Sequence, residues 1–153
     1  MKLSTSEEYG LRCLLVVARR APTAAGDPVS IRDVAEAEGL SPDYTAKLLS
    51  ALRKGGLITS SRGAQGGYRM ARSSDEITAG EALRALDSPL YADDFCSAHS
   101  GKKSCCVHKN VDCTLTTLWS AMSRAIDEVV DGITIADLLT PPTAQQALGV
   151  RHG

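Results

Sequence analysis

The sequence predicts a mostly α-helical fold carrying one small β-hairpin and ending in a long amphipathic helix. Three observations lead there. Helical starts recur as serine caps: Ser4-x-x-Glu7 and Thr5-x-x-Glu8, then Ser30-x-x-Asp33, then Ser41 directly before Pro42. Two strand-like runs flank a glycine-rich tip in "LITSSRGAQGGYRMAR". Apolar residues recur at helical spacing late in the chain, at Leu115, Leu118, Trp119, Met122, Ile126, Val129 and Val130.

Taken in order, residues 5–20 form the first helix. Tyr9, Leu11, Cys13, Leu14, Leu15, Val16 and Val17 cover most of its circumference, which predicts burial, with Cys13 as an inert core thiol. Glu8, Arg12 and Arg19 share its polar strip. A loop at 21–28 follows. The Ser30 cap opens a short helix with Val34, Ala35 and Ala37 on its apolar side, and Gly39 ends it. The Ser41–Pro42 start opens a second, which runs to about Lys54 and stops at Gly55 and Gly56. Its inward stripe is Thr45, Leu48, Leu49 and Leu52; Asp43, Lys47, Ser50 and Lys54 fall opposite. The hairpin comes next, its tip glycines Gly66 and Gly67 answering to turn geometry. One more capped helix spans about Ala79 to Leu86.

Helix, glycine turn, helix and hairpin together make a winged helix-turn-helix. The length of 153 residues suits one domain or a small domain plus an extension. Hydrophobic residues reach 43% but aromatics only 4%, so the core is aliphatic. No run approaches the length of a membrane-spanning helix. The opening "MKLSTSEEYGLRCLLVVARR" has a short apolar run, preceded by two glutamates and interrupted by Arg12, unlike a signal peptide. A cytoplasmic location with reduced thiols is expected, which sets a disulfide knot aside.

Charge adds a partner. The net charge of −1 divides into +4 over residues 1–72 and −5 over residues 73–153. Between Thr45 and Arg72 six basic residues meet no acidic one. A basic block on a helix-turn-helix points to double-stranded DNA. The candidate contacts are Ser41, Asp43, Tyr44, Lys47, Ser50 and Lys54 on the second helix of the motif, facing the major groove. Arg62 at the hairpin tip would enter the minor groove, with Gln65, Tyr68 and Arg69 beside it. Tyr68 serves equally well as a packing residue. The late amphipathic helix needs a surface to cover: its own domain, or a symmetry mate in a dimer matching a palindromic operator.

The stretches "MKLSTSEEYGLRCLL", "VSIRDVAEAEGLSPDYTAKLLSALRKGGLITSSRGAQGGYRMAR", "EITAGEALRAL" and "VDGITIADLL" resemble the IscR/NsrR/RirA group of bacterial winged-helix regulators. The likeness runs from Met1 to about Leu139, and the R-G-x-x-G-G-Y motif from Arg62 to Tyr68 is its most specific piece. It implies a homodimeric transcription factor whose long helix is the dimer interface. It divides the chain into a DNA-binding domain at 1–88, a cysteine-rich loop at 89–113, a dimerisation helix and short terminal helix at 114–140, and a flexible tail at 141–153.

The loop "FCSAHSGKKSCCVHKNVDCTLTTLW" holds four of the five cysteines. The resemblance implies an iron–sulfur cluster there (2Fe–2S or 4Fe–4S) on three cysteines. Members of the group place the last cysteine six residues before a tryptophan, which Cys113 and Trp119 match. Cys96 and Cys106 are then the other thiolates, with Cys105 an alternate to Cys106. The spacing departs from the five intervening residues of IscR-like members: nine lie between Cys96 and Cys106, six between Cys106 and Cys113. Those members use a histidine where this chain has Thr116. Others use an acid near the start of helix 1 of the opposite subunit, a position Glu8 occupies; a carboxylate there also suits the helix dipole and Arg12. His99 and His108 are local candidates. Cys113 opens the long helix, whose free N–H groups favour an anionic cluster. Three alternatives stand beside the cluster: zinc on three cysteines and His99 or His108, a thiol switch tuned by Lys102, Lys103 and Lys109, and an electron-transfer or enzyme-like protein. The last ranks behind, since the sequence supplies no catalytic pair, and the chain is read as no enzyme.

Overall fold

The computed structural model describes residues 4–23, 26–63, 66–86 and 114–140. Helix α1 spans Thr5–Arg20 and α2 Ile31–Glu38; α3 covers Pro42–Lys54 and α4 Ala79–Ala85. Strands β1 (Ile58–Ser61) and β2 (Gly67–Met70) lie between α3 and α4; α5 (Thr114–Asp131) and α6 (Ile135–Leu139) follow.

The serine caps act as their spacing predicts. The Ser4 hydroxyl accepts from the Glu7 N–H, and the Glu7 carboxylate accepts from the Ser4 N–H, closing a capping box at α1. Ser30 caps α2, which ends on Gly39 at φ 66°, the left-handed conformation that glycine adopts most readily. Ser41 caps α3 with Pro42 in its first turn. Leu86, expected as the last residue of the fourth helix, is instead the C-cap of α4.

α1 is the centre of the packing. Cys13, Leu14 and Val17 are wholly buried, and Val16 and Ala18 nearly so. Around it sit α2, α3, α4, β2 and α6. The inward stripe of α3 lands as expected, with Thr45, Leu48, Leu49 and Leu52 all buried. The strands pair antiparallel in register Ile58–Met70 through Ser61–Gly67.

Two backbone pairings bind distant segments to this frame. Val29 exchanges both hydrogen bonds with Tyr68, at 2.9 and 2.8 Å, so the loop before α2 adds a one-residue bridge to β2 of the wing. A Cβ on Gly67 would collide with the Val29 carbonyl, so the pairing requires glycine there. Farther along, Ala79 N–H donates to the Ile133 carbonyl and Ile135 N–H to the Ile77 carbonyl, both at 2.8 Å. Ile135 enters the core with no exposure. The short terminal helix α6, grouped from sequence with the dimerisation helix, thus packs on α1 of its own chain.

Ile135→Ala should lower unfolding stability by about 2–5 kcal/mol through cavity formation. Leu138→Ala, at an exposed position of the same helix, should change it by less than about 1 kcal/mol. Urea denaturation followed by circular dichroism measures both.

Candidate nucleic-acid interface

The outer face of α3 and Arg62 of the hairpin make one exposed cationic surface of the winged domain. Asp43, Lys47 and Lys54 are exposed, and Ser50 is half-buried beside them. Lys47 and Lys54 are seven residues apart, about two turns, so they rise from one side of the helix. Arg62 is exposed at the end of β1, next to Gly63 at φ 113°. A side chain at Gly66 would run into the Ser61 and Gly63 carbonyls, so the tip closes tightly beneath Arg62. Gln65 lies outside the described residues.

Other candidates have structural partners. The Ser41 hydroxyl accepts from the Tyr44 N–H at 3.3 Å as the cap of α3. Tyr44 is half-buried, its ring edge-on to Tyr9 of α1 with centroids 6.4 Å apart and planes at 83°. Tyr68 packs against the core, and Arg69 is half-buried next to it. Arg72, a cation of the same basic block, turns away to Glu81 at 2.8 Å and the Glu76 carbonyl at 3.1 Å.

Glu8 stands on the first turns of α1 with its side chain 62% exposed. Its carboxylate lies 3.7 Å from the Arg12 guanidinium, the spacing expected for residues four apart. Arg12 has a stronger partner that the sequence did not disclose: its Nε–H donates to Glu38 Oε2 at 2.6 Å, at the end of α2. That bond, and then the Glu38 charge, raise the Arg12 pKa above its ordinary value. The guanidinium also lies 5.2 Å from the centre of the Tyr9 ring, within cation–π range. Glu8, Arg12, Tyr9, Glu38 and Tyr44 therefore form one contact chain from the start of α1 to both helices of the motif. Glu7, by contrast, is buried and committed to the capping box.

Cys13 is the thiol placed in the core. Burial pushes its pKa up to about 11, with the Glu38 charge adding to the rise and Arg12 opposing it. Cys96, Cys105, Cys106, Cys113, His99 and His108 lie outside the described residues. Among the described residues no three His, Cys, Asp or Glu side chains come together as a metal site. On α5, Leu118, Met122 and Val129 are exposed, Val129 by 57%, while Ile126 and Val130 are half-buried. No helix among the described residues is long and apolar enough to cross a membrane.

A profile of the Rrf2 family, described as an iron-dependent transcriptional regulator, matches residues 3–141. The chain belongs to the Rrf2 family. The protein rrf2 of Nitratidesulfovibrio vulgaris is 36% identical over 142 residues, covering 91% of this chain and 87% of that protein. The solved structure of IscR from T. potens is 33% identical, with a TM-score of 0.69 over 99% of this chain and 93% of that one. The structure of CymR, described as the global cysteine regulator of B. subtilis, is 31% identical, with a TM-score of 0.66 over 94% and 99% of the two chains. This Rrf2-family chain is a transcriptional regulator of winged-helix fold, as the resemblance implied, and its relatives imply DNA binding.

In the native protein Cys13 should resist alkylation by iodoacetamide at pH 8 and react fully in denaturant. Peptide mass spectrometry reads the difference, and rapid native labelling of Cys13 would contradict its burial.

Proposed function

We propose that this Rrf2-family regulator binds palindromic double-stranded DNA as a homodimer and senses redox state, iron or nitric oxide through an iron–sulfur cluster on its cysteine loop. The observation that carries DNA recognition is the pairing of an exposed lysine face on α3 with an arginine at the tip of the adjoining wing. Lys47, Ser50 and Asp43 would meet base edges or phosphates in the major groove; Arg62 would reach the minor groove. Tyr44 contributes by holding α3 against α1. The apolar stripe of α5, with Leu118, Met122 and Val129 exposed, supports dimerisation through that helix.

For the sensor, Cys96, Cys106 (or Cys105) and Cys113 would hold the cluster, with Glu8 of the opposite subunit completing it. The structure is consistent with this role for Glu8: its carboxylate is exposed, and Arg12 keeps Glu38 as its principal partner if Glu8 leaves. Three thiolates and one carboxylate suit iron, and an oxygen ligand leaves one position exchangeable. When bound, such a cluster supplies chemistry that oxidants and nitric oxide perturb. The chain's own part is mechanical. A pull on Glu8 acts on the helix α1 that carries it, whose Arg12 and Tyr9 contact Glu38 and Tyr44 of the DNA-reading motif.

A second reading keeps the winged helix and replaces the cluster by a thiol switch or zinc. The likeness to CymR, described as a global cysteine regulator, favours it.

Anaerobically purified protein should be coloured and carry iron and acid-labile sulfide. Cys106→Ala should bleach it while Cys105→Ala should not. Colourless protein with stoichiometric zinc would establish the zinc reading in its place. On DNA, Arg62→Ala should weaken operator binding by roughly 1–3 kcal/mol and lower the salt slope by about one; unchanged anisotropy titrations would remove Arg62 from the interface.

A further inference from the structure

The junction between α5 and the winged domain is built unlike an ordinary loop. On its C-terminal side the chain is immobilised. Ile133 and Ile135 exchange backbone hydrogen bonds with Ala79 and Ile77, Thr134 bridges Thr78, and Ala136 N–H donates to the Ser74 carbonyl at 2.9 Å. Ile135 is wholly buried. On the other side stands α5, exposed along most of its length and packed chiefly on α4. Gly132 alone separates Asp131, the last residue of α5, from the immobilised Ile133.

One side-chain clamp spans that glycine. Arg84 of α4 donates from both terminal nitrogens to Asp131, Nη2 to Oδ1 at 2.7 Å and Nη1 to Oδ2 at 3.3 Å. This is the two-pronged geometry that fixes direction as well as distance. The Thr78 hydroxyl donates to Asp131 Oδ1 at 3.4 Å. The carboxylate occupies the space a Cβ would take at Gly80, so α5 approaches α4 this closely because residue 80 has no side chain. Asp127 and Glu81 add negative charge around Arg84.

Leverage makes the clamp matter. The 18 residues of α5 span about 27 Å. A swing of about 10° at Gly132 moves the far end by about 5 Å, more than the roughly 3.4 Å rise of one base pair. An ion pair with both partners about half exposed, 50% and 44%, contributes little to stability. Its effect is on angle. We infer that the Arg84–Asp131 clamp, seated on Gly80, sets the angle between α5 and the winged domain and thereby the half-site spacing that the dimer accepts. The inference rests on the reading of α5 as the dimer helix; Arg84, Asp131 and Gly80 are positioning residues that touch no DNA.

The test uses palindromic duplexes selected by the wild-type protein from a random duplex library, with the central spacer then changed by one and two base pairs. Wild type should discriminate against a one-base-pair change by more than about tenfold, within the range of one mismatched contact. Arg84→Ala and Gly80→Ala should each reduce that discrimination to less than about threefold. Affinity for a single half-site and the melting temperature of Arg84→Ala should stay at wild-type values. A folded, dimeric Arg84→Ala protein with wild-type spacer preference overturns the inference, whether or not Gly80→Ala folds. Sedimentation equilibrium separates the two levels: a monomeric wild type would remove the dimer reading and this inference with it, whereas a dimer with unaltered spacing in Arg84→Ala removes the inference alone.

Discussion

Burial of α1 is the constraint on which the rest of the structure depends. Its apolar residues take up all but a polar strip: Cys13, Leu14 and Val17 are sealed, and α2, α3, α4, β2 and α6 all pack on it. Each fully buried aliphatic side chain contributes roughly 1.5–3 kcal/mol, so this one helix organises much of the hydrophobic stabilisation. At Gly10 the packing is so close that a Cβ would strike the Leu86 side chain. A helix held from so many directions does not move alone. Close-packed interiors transmit displacement instead of absorbing it, and a force on α1 reaches every element of the DNA-reading motif.

That property gives meaning to the polar end of the same helix. Tyr9 and Arg12 stand where α1 meets α2 and α3, and their partners Glu38 and Tyr44 lie on the two helices of the helix-turn-helix. Glu8 is the exposed residue at the head of this chain. A ligand that engages Glu8 would act on a rigid lever connected to the recognition helix, with no loop rearrangement in between. The Gly132 junction fixes α5 to the same domain through Ala79 and Ile77. Glu8 thus carries the proposed input, and the junction the proposed geometry of the dimer.

Much of this was legible in the sequence because it is local. Serine caps, the Pro42 start, the Gly39 stop and the inward stripe of α3 depend on neighbours within a few residues, and each element formed where its signals stood. Cys13 was legible as a core thiol from the apolar run around it. What escaped was contact between residues far apart in the chain. Nothing near Val29 announces its pairing with Tyr68, and nothing near Asp131 announces Arg84, 47 residues earlier. Arg12 offered Glu8 as a partner by helical spacing, but the shorter bond goes to Glu38, 26 residues on. At the candidate interface the lysines and Arg62 keep free outer positions, whereas Ser41, Tyr44 and Tyr68 turn out to cap or pack. Residue type and helical phase show the face; they do not show which polar side chains the fold has already engaged. The cysteine ligands were implied by the family resemblance, and they lie outside the described residues.

In the proposed mechanism, occupancy of the cysteine loop changes DNA affinity through α1. The direct measurement is a fluorescence-anisotropy titration of one operator duplex, under anaerobic conditions, with protein as isolated and with the same protein stripped of iron by a chelator. The account predicts a difference of at least about fivefold in dissociation constant, the lower end of ordinary coupling between sites. It also predicts that Tyr9→Ala shrinks this difference without removing iron. Equal affinities for iron-loaded and stripped protein, both dimeric, would contradict the account.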